Sequence, residues 1–196
     1  MIRSMYTAAT GMEAQQLYMD VISNNLSNVN TNGFKRQKIE FQDLMYQTLR
    51  EPGVRNPEGA MAPSGIEVGL GVRMAASQRI FEQGSMNMTS NPLDVAIQGD
   101  GFYQVTLPDG NTAYSRDGAF KLSADGTIVN SDGFFIEPQI VIPEGSSSLM
   151  IDKNGQVSVI LSGESEQTAI GQIELARFVN PAGLRALGGN LYADTE

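Results

Sequence analysis

FYQVTLPDGNTAYSRDGAFKLSADGTIVNSDGFFIEPQIVI, residues 102–142, decides the fold class. Asp-Gly recurs in it at 109–110, 117–118, 125–126 and 132–133, in steps of 8, 8 and 7 residues. Asp-Gly suits the two-residue type I′ hairpin turn, because both central residues there need positive φ. Short apolar-rich runs lie between the turns and are expected as strands: Phe102–Leu107, Asn111–Arg116, Phe120–Ser123, Thr127–Val129 and Phe134–Ile142. A compact antiparallel β domain follows from that pattern. Gly155–Leu161 and Ile170–Val179 extend it, with a further turn at Asn154-Gly155 and a closing turn at Asn180-Pro181-Ala182-Gly183-Leu184.

Upstream, Leu93–Ile97 is a candidate buried strand, and Arg79–Met86 is expected as a strand running into a turn. Residues 51–71 hold three Pro and many Gly, which predicts an extended loop with little regular structure. Loops of that length usually carry a function. Residues 39–50 fit either a strand or a short helix. Their aromatics suit the first, and the spacing of Phe41, Leu44, Met45 and Leu49 suits the second.

Residues 2–28 predict one helix of roughly 40 Å at ~1.5 Å per residue. In a heptad frame Met5, Met12, Met19 and Leu26 occupy position a, and Ala8, Gln15, Ile22 and Val29 occupy position d. Seven of these eight are apolar, which fits the seam of a coiled coil or ordinary core packing within one domain, although this chain offers no second long helix for the latter. Leu17, Tyr18 and Val21 form a second strip beside it, so the helix needs more than one neighbour. Methionine tolerates variable packing partners, which suits a helix meeting several copies in an assembly. Asn24, Asn25, Asn28, Asn30, Asn32 and Gly33 then predict a stop and a turn. The basic step Phe34-Lys35-Arg36-Gln37-Lys38 reads as a solvated surface.

The fold class is therefore mainly β with an N-terminal α-helix: a compact antiparallel β domain plus a long helix and an extended loop region. The expected domains are a helix over 1–33, an extended linker over 34–85 and the β domain over 86–196.

The 196 residues include no Cys, His or Trp, and carry 13 basic and 22 acidic side chains, net −9. A thiol nucleophile, a histidine base, a disulfide and a structural zinc site are excluded. Residues 1–80 hold 8 basic and 7 acidic groups, and residues 81–196 hold 5 and 15. That balance argues against nucleic acid as a partner, because phosphate binding needs clustered Lys and Arg. Carboxylate pairs such as Asp94 with Asp100, or Glu164 with Glu166, have nothing beyond their identity to suggest glycoside chemistry. The Asp-Gly loops lack the Asp run and the terminal Glu of a calcium-binding EF-hand. No enzyme activity, cofactor or metal site is expected. Glu13, Gln15 and Gln16 break any apolar run of a cleaved leader.

Several motifs carry a family resemblance. Ser4-Met5-Tyr6-Thr7-Ala8-Ala9-Thr10-Gly11-Met12 and Ile22-Ser23-Asn24-Asn25-Leu26-Ser27-Asn28-Val29-Asn30-Thr31-Asn32-Gly33-Phe34-Lys35 resemble the N-terminal signature of the bacterial flagellar rod and hook axial proteins. Leu93–Phe102 resembles the start of their core domain, and Tyr114–Phe120 their next hairpin. Within the family, Gln47-Thr48-Leu49-Arg50-Glu51-Pro52-Gly53 and Val68-Gly69-Leu70-Gly71-Val72 look most like distal rod members, and Asn180–Leu184 and Asn190-Leu191-Tyr192 fit with them. The resemblance spans essentially the whole chain.

It implies a structural subunit of the distal rod of the flagellar basal body. Copies would polymerise helically into a rigid hollow driveshaft that crosses the periplasm and transmits torque from motor to hook. Met5, Ala8, Met12, Met19, Ile22, Leu26 and Val29 would make the inner-layer contacts, and Leu49, Arg50, Glu51, Pro52 and Gly53 would form the rod-type loop. The implied partners are further copies of the chain, proximal rod proteins, the hook protein, the P and L ring proteins and the flagellar type III export apparatus. No nucleic acid and no small-molecule substrate is implied, and export would use no cleaved leader. Family members continue into a second terminal helix that pairs with the first, so a chain ending at Glu196 is expected to lack that partner. The alternatives are a proximal rod or hook subunit, or a secreted binding module of adhesin-like or calcium-dependent type.

Overall fold

The computed structural model describes residues 2–53, 63–163 and 166–195. The chain divides into two units: 1–29 with 36–80, and 30–35 with 81–196. The first holds seven basic and seven acidic side chains, and the second holds six and fifteen.

In the first unit, α1 runs over Ile2–Ser27. Four strands follow: β1 (Gln37–Asp43), β2 (Tyr46–Arg50), β3 (Ile66–Gly69) and β4 (Val72–Arg79). β1 pairs antiparallel with β4, and β2 with β3. Leu44 N–H donates to Gly71 O (2.8 Å) and Leu70 N–H to Met45 O (3.2 Å), which joins the two pairs into one long ribbon. The ambiguity over 39–50 resolves as strand. The 51–71 stretch, expected to lack regular structure, contributes β3. Its middle, 54–62, lies outside the described residues.

The second unit is built on an eight-stranded sheet of β5 (Phe102–Thr106), β6 (Thr112–Ser115), β7 (Lys121–Leu122), β8 (Ile128–Val129), β9 (Phe135–Glu137), β13 (Leu175–Ala176), β14 (Arg185–Gly188) and β15 (Leu191–Ala193). The order is β14-β15-β6-β5-β9-β8-β7, with β13 beside β5. A three-stranded sheet sets β11 (Gln156–Leu161) between β10 (Ser146–Ile151) and β12 (Thr168–Gln172). Both sheets contribute to the main apolar core, which includes Tyr103, Phe120, Ile128, Ile136, Val157 and Val159. Burying each such side chain contributes ~1.5–3 kcal/mol. A smaller cluster gathers Phe102, Leu184 and Tyr192, with Phe81 and Phe178 packed edge-to-face on it.

The Asp-Gly turns hold as turns but not as type I′. Gly110, Gly126, Gly133 and Gly155 have φ of 79°, 75°, 87° and 77°, while the residues before them stay at negative φ. Each loop is a type I turn followed by a left-handed glycine. In the first, Gly110 N–H donates to Leu107 O and Leu107 N–H to Asn111 O, both at 2.9 Å. The loops starting at Ser123, Asn130 and Asp152 repeat the pattern. The reason lies one residue upstream: Pro108, Ala124, Ser131 and Lys153 each accept the right-handed first corner, and only the glycine needs positive φ.

Asp117-Gly118 is not a hairpin turn at all. β6 and β7 are not neighbours, and Gly118 lies with its backbone against Val95, where a Cβ would collide with the Val95 carbonyl. Val95 N–H donates to Gly118 O (2.9 Å). Leu93–Ile97 is accordingly not a strand but a crossing anchored by buried Leu93 and Ile97, with one bridge, Asp94 to Ala119. The strand expected over 79–86 stops at Arg79, and residues 80–89 form no turn.

Candidate assembly interface

α1 has two faces. Thr7, Thr10, Ala14, Leu17, Val21 and Asn25 are buried or half-buried and recur every three or four residues. This stripe packs on β1 and β4, with Tyr18 edge-on to Phe41 at 6.4 Å. The other face is the heptad seam, and it is bare. Met5 and Met12 are each 68% exposed, Met19 61%, Ile22 43% and Leu26 70%. Ala8 is exposed beside them, and Val29, also exposed, lies two residues past the helix end. The sequence-predicted residues thus share one surface, apart from Val29, which is carried by the turn after the helix.

The helix is held in that orientation from both ends. Near its C-terminus, Asn25 Nδ2 donates to Gln37 O (2.8 Å), and Gln37 N–H donates to Asn25 Oδ1 (2.9 Å). Near its N-terminus, Gly71 at φ 123° comes against Thr10, where a Cβ would collide with Oγ1. A groove of about 640 Å³ opens along the same end. Arg3, Ser4, Thr7 and Ala8 line it from the helix, and Leu49, Val68, Gly69 and Leu70 from the ribbon.

Leu49 and Arg50 end β2, and Glu51, Pro52 and Gly53 turn away from it. Arg50 Nη2 donates to Ser64 O (3.2 Å), which closes the base of the rod-type loop. Met45, Tyr46, Leu49 and Ile66 all lie exposed on this ribbon. Sequence reasoning left out the ribbon's apolar surface, the Asn25 clamp and the groove. The Gly69-Leu70-Gly71 spacing was the available signal for a close backbone approach.

Lys35, read as part of a solvated basic step, is buried, and its Nζ donates to Glu82 O (2.6 Å). Burial lowers its pKa, with the Arg116 charge adding to the effect. Arg116 hydrogen-bonds Gly99 O and Gln83 Oε1 and stacks over the Phe102 ring. Burial also raises the Tyr103 phenol, whose Oη donates to Val95 O (3.0 Å). These charges and hydroxyls are committed to structural bonds. Of the carboxylate pairs, Asp100 is exposed beside Arg177 (3.4 Å), and Asp94 accepts from Asn91 Nδ2 (2.8 Å). Glu164 lies outside the described residues. The described residues present no group of three or more metal-ligating side chains.

A family model described as flagella basal body rod protein matches residues 5–35, and one described as flagellar hook protein FlgE/F/G D1 domain matches residues 96–159. The chain is 50% identical over 197 residues to the flagellar basal-body rod protein FlgG of Borreliella burgdorferi, covering all of this chain and 74% of that one. It is 48% identical over 196 residues to FlgG of Buchnera aphidicola, covering all of this chain and 75% of that one. It is also similar to the flagellar hook protein FlgE of Helicobacter mustelae, at 37% over 138 residues, which is 70% of this chain and 30% of that one.

Proposed function

The chain belongs to the flagellar basal-body rod protein FlgG family, structural subunits of the rod, and from that premise we propose that its copies stack helically into the distal segment of the rod. The rod so built is a rigid hollow shaft that crosses the periplasm and carries torque from motor to hook. Residues 1–33 form its inner layer. Met5, Ala8, Met12, Met19, Ile22, Leu26 and Val29 seat against helices of neighbouring copies. Residues 34–85, with the rod-type loop Leu49-Arg50-Glu51-Pro52-Gly53, stiffen the contacts between subunits, and the acidic residues 86–196 face outward.

The observation that supports this reading is the bare seam. An apolar helix face of this length is costly to leave in water, at ~25 cal/mol per Å² of apolar surface. Contiguous exposed apolar surface marks an interaction site. Contacts that repeat head to tail without closing generate a filament. The proximal rod and hook proteins adjoin the polymer at its ends, the P and L rings surround it, and the type III export apparatus delivers the subunits.

Electron microscopy of the polymer grown from the chain extended to its relatives' full length tests the reading. Straight tubes are expected. Curved tubes would favour a hook-type subunit, and a monomer at all concentrations would contradict assembly.

A further inference from the structure

Residues 81–89 run without helix, strand, turn or bend, and residues 82–92 are all exposed. Among the described residues, Gly84–Ser90 make no backbone hydrogen bond. Fully extended, nine residues span up to ~30 Å at about 3.3 Å each. Gln83–Leu93 is also the longest uncharged run in residues 81–196, a region with fifteen acidic groups. Met86 and Met88 are two residues apart, and both are exposed, Met88 fully.

An unpaired strand edge is normally protected by charge or proline. β14 carries Arg185 and β7 carries Lys121 at the two edges of the large sheet. β10, Ser146–Ile151, is a free edge of six residues with neither charge nor proline, and Met150 on it is 54% exposed. From Ser148 to Ile151 its register is regular. The opposite edge, β12, is shorter, and its register shifts between Val157 and Ser158 of its neighbour.

We infer that residues 83–91 of one copy add as a strand to the β10 edge of a second copy. Main-chain hydrogen bonds supply affinity in such strand addition. The second copy is the occupant that the charge pattern favours. Two surfaces of a strongly acidic unit meet with least repulsion where both are uncharged, and interface cores are depleted of charge. Donor and acceptor are different parts of the chain, so each copy can give its segment to the next, and in the helical stack of the rod reading the contact runs head-to-tail. The inference rests on the rod-subunit reading and adds a second contact, distinct from the helix seam.

The chain has no cysteine, which makes the test clean. Met88→Cys and Met150→Cys are introduced together, and basal bodies isolated from cells expressing the variant are oxidised mildly. A ladder of disulfide-linked dimers and higher multimers on a non-reducing gel is expected. The single variants, and Met150→Cys paired with Asp109→Cys, are expected to give none. Incorporation of the double variant without a ladder overturns the inference and leaves the rod reading intact. A dimer from Met88→Cys alone overturns the head-to-tail geometry. Absence of the unmodified chain from basal bodies overturns the rod reading and this inference with it.

Discussion

The Asn25 side chain pairs with the backbone of Gln37 as a neighbouring strand would, donating from Nδ2 at 2.8 Å and accepting at Oδ1 at 2.9 Å. One asparagine thereby couples the last turns of α1 to the first residue of β1. The packed stripe stays on the ribbon, and the methionine seam faces away from it.

Asn25→Ala removes both bonds and is expected to destabilise the helix-and-ribbon unit by ~1–3 kcal/mol, at about 0.5–1.5 kcal/mol per bond. Asn25→Asp should cost at least as much, because a carboxylate cannot donate to Gln37 O. Asn24→Ala, at an exposed neighbouring position, is expected to stay within about 0.5 kcal/mol. Urea unfolding of the three variants measures the differences. Equal stability of Asn25→Ala and wild type would refute the clamp.

Gly71→Ala meets two obstacles, a φ of 123° and the Thr10 hydroxyl. Strained backbone of this kind costs ~1–3 kcal/mol. Adding Thr10→Ala removes the collision but not the strain, so the double variant should recover only part of the loss. A double-mutant cycle with no coupling energy would mean that helix and ribbon do not meet here.

Asp117 gives a pH signature. Burial raises its pKa above the usual 3.8, with the Asp132 and Asp94 charges adding to the rise, against an opposing hydrogen bond from Ala119 N–H. A carboxyl raised in the folded state contributes stability that is fully present below its unfolded pKa and lost as pH rises through the folded value. Asp117→Asn should therefore match wild type in Tm at pH 3 and exceed it increasingly as pH climbs through that window, reaching a plateau above it. A constant Tm difference at all pH values would count against this assignment.

The sequence and the structure agree best where a pattern has one physical solution. The 26-residue helix and strands β5, β6, β7 and β8 were legible because apolar periodicity and glycine positions each admit few alternatives, whereas the strand expected over 134–142 is only Phe135–Glu137. Turn type was not legible from the dipeptide, since Asp-Gly serves equally as the end of a type I turn; Pro108 was the clue that decides it. Lys35 misled because Arg36 beside it and Lys38 beyond suggest solvent, and only tertiary packing brings Glu82 O to its ammonium. The exposed seam was readable as a heptad, whereas the opposite stripe was visible only as leftover apolar residues. The ribbon was hidden because β2 and β3 are exposed along nearly their whole length, so no alternation of burial marks them.

In the proposed rod the bare face of α1 is a subunit contact. Met12→Asp and Ile22→Asp, made separately in the full-length protein, are the direct test. Both side chains are exposed in the single chain, so neither change should lower its Tm by more than about 0.5 kcal/mol would. Buried in an assembled seam, the same carboxylate faces apolar neighbours at a cost of several kcal/mol. The measurement is the amount of each variant recovered in isolated basal bodies, with motility scored alongside. Folded, exported protein that is absent from the rod, and non-motile cells, are expected. Wild-type incorporation and normal motility in both variants would contradict that contact.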